Sequence, residues 1–121
     1  FYHHHHHKFH GTVDLTHLPK TMVNCILHGN QFHGRIDLES LPETFVCLSL
    51  RENNFSGTIN LDELPETMEK IFLQDNKFSG IVNIKFLPSS MDTLRLENNE
   101  IRKIIGRPRP DMSLSKDEGI H

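Results

Sequence analysis

Apolar positions recur along the chain in columns with a step of 23 residues. Met22, Phe45, Met68 and Met91 form one column, and Phe9, Phe32, Phe55 and Phe78 another. Gly11, Gly34, Gly57 and Gly80 keep the same step, as do Pro19, Pro42, Pro65 and Pro88. Four columns in one phase mark a structural repeat, whose units bury their apolar faces against one another. Phe45 to Phe55 is the clearest copy: large apolar, two variable, apolar, variable, apolar, two variable, Asn, variable, Phe. The alternation at Leu48–Ser49–Leu50 predicts a short strand with its leucines on one face. Leu48 and Leu50 then point inward, as do Ile71 and Leu73, and Leu94 and Leu96. Stacked units line these strands up as a parallel sheet.

Each remaining column has a physical task. Asn30, Asn53, Asn76 and Asn99 stand at the turn that leaves each strand. An amide side chain donates and accepts, so it can pair with backbone groups of its own and adjacent coils. The phenylalanines form a spine behind it, each ring burying roughly 150–250 Å². The glycines permit a left-handed turn or close coil approach. The prolines stiffen the return to the next strand and disfavour helix at the preceding leucine. The stretch between Gly and Pro is too short and interrupted for a regular helix, so an irregular or short extended return is expected. The first unit is degenerate, with Tyr2, His4 and His7 at apolar or Asn positions. The chain opens at Phe1 without an evident cap, which predicts a fragment, a missing partner or a frayed first coil. At the other end Lys103 stands where Gly is expected, and Arg107–Pro108–Arg109–Pro110 stops the pattern.

The spacing resembles the leucine-rich repeat family, whose signature is L-x-x-L-x-L-x-x-N-x-L in a unit of about 20–29 residues. The resemblance implies a leucine-rich repeat solenoid, a right-handed α/β-type superhelix of about five coils. It places a parallel β-sheet on the concave face and a mostly irregular convex side. Residues 1–105 form the repeat domain, and 106–121 a polar, mobile C-terminal tail. Ser56–Gly57 and Ser79–Gly80 look like the S-G-x-I subtype best known from plant receptors. The Leu–Pro pairs depart from it and look more like repeats of protist and bacterial proteins.

Composition narrows the function. Thirteen basic against sixteen acidic residues give a net charge of −3, without the basic footprint of a nucleic-acid binder. No apolar run approaches the roughly 20 residues of a membrane span, so no membrane insertion is expected. Cys25 falls inward and Cys47 outward, predicting two free thiols, which fits a reducing compartment but leaves the localisation open. Cys47 is the best nucleophile candidate, but its nearest base, His28, is offset by roughly 13 Å along the strands. A nucleophile needs its base at about 3 Å. No phosphate-binding Gly loop or zinc-protease motif is present. The chain therefore reads as a non-enzyme without catalytic residues or cofactor. The acidic residues Asp37, Glu39, Glu43, Asp62, Glu63 and Glu66 fall on the convex return and read first as a solvated face, with calcium binding a distant second.

The run His3 to His7 admits three readings: a purification tag, a native edge without specific role, or a metal site. In register, His3 and His5 share the concave face roughly 7 Å apart, with His28 roughly 4.8 Å from His5. Imidazoles bind zinc, copper or nickel. His3, His5 and His28 are thus the metal candidates, with no carboxylate or thiolate to complete them.

The outward positions of the strands define a candidate partner surface. One column holds His3, Ile26, Ser49, Phe72 and Arg95, and the next His5, His28, Arg51, Gln74 and Glu97. Aromatics and Arg are enriched at interfaces. Phe72, flanked by Arg51 and Arg95, is the expected anchor, and Ile26, His28, Gln74 and Glu97 complete the set. The leading expectation is a protein-interaction module with a protein partner. The rivals are a structural segment that self-associates through unpaired strand edges at the solenoid ends, and the ligand-recognition part of a larger receptor.

Overall fold

The structure is a computed structural model and describes residues 2–3 and 9–121. It is a parallel β-solenoid of about five turns, with no helix among the described residues. The first sheet joins β1 (Tyr2–His3), β3 (Asn24–Ile26), β5 (Cys47–Ser49), β7 (Lys70–Phe72), β9 (Thr93–Arg95) and β11 (Ser113–Ser115), in that order. The second joins β2 (His10–Gly11), β4 (Gln31–Gly34), β6 (Asn54–Gly57), β8 (Lys77–Asn83) and β10 (Glu100–Ile105). In the first sheet Cys47 pairs with Lys70 and Lys70 with Thr93, so the repeat sets the register directly.

The inward leucines behave as the alternation requires. Leu48, Leu50, Ile71, Leu73, Leu94 and Leu96 are wholly buried in one core. Cys25 joins that core, while Cys47 lies half-buried on the opposite face. Asn53 shows the work of its column: Nδ2 donates to the carbonyls of Leu27, Leu50 and Arg51, and Oδ1 accepts from Phe32 N–H. Asn76 repeats this one coil on. The rings of Phe32, Phe55 and Phe78 stack with centroids 6.3 and 6.2 Å apart, whereas Phe9 is exposed at the end of the row.

Two expectations need correcting. The α/β-type superhelix is absent here: the segment leaving each Asn turn joins a second parallel sheet, while the stretch from Gly to Pro stays irregular in the coils of Gly11, Gly34 and Gly57, as expected. The backbone groups of that sheet pair with neighbouring coils, which satisfies them without a helix. The C-terminal segment is not a mobile polar tail. β11 pairs with β9, Ser113 matching Thr93 only 20 residues on, and Met112 and Ile120 enter the core. Asp117 accepts from the N–H groups of Asn98 and Asn99, where earlier coils offer a neighbour's carbonyl. Arg109 donates to the Pro88, Ser89 and Met91 carbonyls. In earlier coils Thr44, Thr67 and Ser90 hydroxyls bond equivalent carbonyls. Lys103, in place of Gly, is absorbed by a register shift between Ile101 and Lys103, and Gly106 supplies the left-handed turn at φ 100°.

Gly57 turns at φ +86°, and a Cβ there would lie 3.0 Å from the Arg35 side chain. Gly57→Ala is expected to lower stability by about 1–2 kcal/mol, the cost of an L-residue in that region. An unchanged urea midpoint would show that the turn relaxes without cost.

Candidate interaction surface

The outward face of the first sheet is built by strand register. Ile26 pairs with Ser49, Ser49 with Phe72, and Phe72 with Arg95, so these four side chains form a row across adjacent coils. Two residues on, the chain brings His28, Arg51, Gln74 and Glu97 into a second row. Ile26, His28, Ser49, Arg51, Phe72, Gln74 and Arg95 line one open depression of about 290 Å³. Six of the seven expected partner residues therefore converge. The seventh, Glu97, stands beside them and holds Arg95.

That pairing alters the electrostatics. Arg95 Nη2 lies 2.6 Å from Glu97 Oε2, and Arg95 Nε donates to both carboxylate oxygens. The hydrogen-bonded guanidinium holds the Glu97 carboxyl below its usual range. Arg95 is thus a braced wall of the depression rather than a free cation. Arg51 meets Glu52 through one longer contact of 3.3 Å between partly exposed groups. Such surface pairs contribute little, so Arg51 keeps conformational freedom. At the other margin of the face Lys70 pairs with Asp92 at 2.8 Å. Their hydrogen bond raises the lysine and lowers the carboxyl from their ordinary values.

Phe72 is half-buried rather than protruding. Ser49, a small residue between Ile26 and Phe72, is only 3% exposed, and Gln74 7%. Ser49 Oγ and Gln74 Oε1 are buried without a hydrogen-bond partner. Each such atom costs roughly 1–3 kcal/mol of desolvation. Sequence reasoning placed Ser49 in the right column but not among the site residues. The available signal was its small size between two large apolar neighbours.

The other candidates do not assemble into chemistry. Burial holds the Cys47 thiol above its ordinary value, with Lys70 opposing less strongly. Burial pushes Cys25 up to about 11. Both are kept as thiols near neutral pH. His5 and the His3 side chain lie outside the described residues, so that part of the metal reading has no geometry. No three His, Cys, Asp or Glu side chains converge on a metal position among the described residues. Asp37 and Asn60, on the return, accept from backbone N–H groups two residues on and shape turns. No helix among the described residues is long and apolar enough to cross a membrane. No protein-family model, curated protein or solved structure matches the chain.

Proposed function

We propose that this chain is a recognition module of the leucine-rich repeat type that binds a protein partner through the outward face of its first sheet. The repeat signature and the Asn ladder support the family reading, and the all-β return limb is a departure from its α/β form. One observation carries the functional reading: Ile26, His28, Arg51, Phe72, Gln74 and Arg95, from consecutive coils, line a single depression. They stand on strands whose opposite faces are locked into the core, so the surface is preformed and binding needs little backbone rearrangement. Affinity then comes from Phe72 and Ile26 as apolar contacts and Arg51 as the adaptable cation. The chain acts by binding, without a catalytic group or cofactor of its own.

The combined replacement of Arg51, Phe72 and Arg95 by Ala tests this. Partner retained by the wild type in pull-down from cell extract should be lost, since anchor residues carry about 2 kcal/mol or more each. Circular dichroism should show the variant still folded. Undiminished capture by a folded variant would place the binding surface elsewhere.

A further inference from the structure

The geometry of the depression points to the group that fills it: a tyrosine side chain of the partner, its ring between Ile26 and Phe72 and its hydroxyl on Ser49 and Gln74. The inference rests on the recognition reading of this face and specifies what is recognised. The floor is polar and unsatisfied, for Ser49 Oγ and Gln74 Oε1 are buried in residues only 3% and 7% exposed and have no hydrogen-bond partner. Ser Oγ donates or accepts, while Gln Oε1 only accepts. A hydroxyl serves both, donating to Gln74 Oε1 and accepting from Ser49. An indole N–H only donates, and a carboxylate would set negative oxygen against Gln74 Oε1.

The walls select the ring. Ile26 and Phe72 flank Ser49 in strand register and offer apolar surface on both sides of the polar floor. Phenol is the side-chain group that joins an apolar body to a hydroxyl tip. About 290 Å³ is room for one aromatic side chain rather than a length of chain. Arg95, braced by Glu97, closes one side. Arg51, held by its single contact to Glu52, can swing aside to admit the ring and then lie against it.

Titration of the whole chain with N-acetyl-tyrosinamide and N-acetyl-phenylalaninamide, followed by amide NMR, tests the proposal. The tyrosine amide should shift Ile26, Ser49, Phe72 and Gln74, and bind about tenfold more tightly than the phenylalanine amide, the ratio two modest added hydrogen bonds give together. Ser49→Ala and Gln74→Leu should each narrow that ratio to about threefold, because each leaves one of the two hydroxyl bonds in place. Both variants should unfold at or above the wild-type temperature, because each removes an unpaired buried polar atom. Equal affinities in the wild type would overturn the tyrosine assignment and leave the recognition face standing. Absence of shifts at these residues with either amide would overturn it too. The recognition reading itself fails only on the triple variant.

Discussion

Asn53→Ala is expected to destabilise the chain by about 3–5 kcal/mol, since each stranded buried group costs about 1–3 kcal/mol. One side chain here serves two coils. Its loss leaves the carbonyls of Leu27, Leu50 and Arg51 without a donor and the N–H of Phe32 without an acceptor. Asn53 is 7% exposed, so water replaces little of this without opening the coil. Asn53→Asp sharpens the test. It keeps an acceptor for Phe32 but sets a negative oxygen against three carbonyls, so it should be no milder than Ala. Urea unfolding followed by circular dichroism measures both. A loss below about 1 kcal/mol for Ala would mean that the ladder does not bear on stability.

Removal of residues 106–121 should have the second large effect, converting the chain into a less stable species that associates as concentration rises. The segment lays β11 on the edge of β9 and covers the core behind it. β11 covers the edge of β9, with Ser113 N–H on Asp92 O and Leu96 N–H on Ser115 O, both at 2.8 Å. Asp117 takes the N–H groups of Asn98 and Asn99, and Met112 and Ile120 complete the core. Without them, unpaired backbone and apolar surface face solvent together, which is a template for edge-to-edge pairing. Terminal coils of solenoids need such a cover to stay soluble. Light scattering across a concentration series reads the association, and thermal unfolding the stability loss. A truncated chain that stays monomeric with an unchanged midpoint would show that the segment is dispensable. Asp117→Ala alone should produce a milder form of the stability loss.

Much of the candidate site was legible because strand register in a repeat is a local property repeated. Once Ile26, Ser49, Phe72 and Arg95 share a column, stacking must make them neighbours, and the structure does so. What the columns could not show was how those neighbours spend their polar groups. Arg95 looks like a free cation beside Phe72, yet Glu97 two residues on neutralises it. Ser49 looks like a solvated outward residue, yet its neighbours' bulk buries it. The turn residue before each Asn was also hidden. Gly29, Glu52, Asp75 and Asn98 all adopt positive φ, but only some are residue types that favour it.

By itself the sequence determined the repeat length, the face that Leu48, Leu50 and their equivalents take, and the amide at every turn. These follow from side-chain alternation and the requirement that one coil bury itself on the next. Only the tertiary structure decided that the segment after each Asn turn pairs into a second sheet and that residues after Ile105 pack onto the preceding coil. Both depend on backbone partners about 20 or more residues away, and a backbone group carries no sign of its partner in the residue type. Asp117 illustrates the point: in the chain it is one carboxylate in a polar tail, and in the fold it stands in for a missing coil's carbonyls.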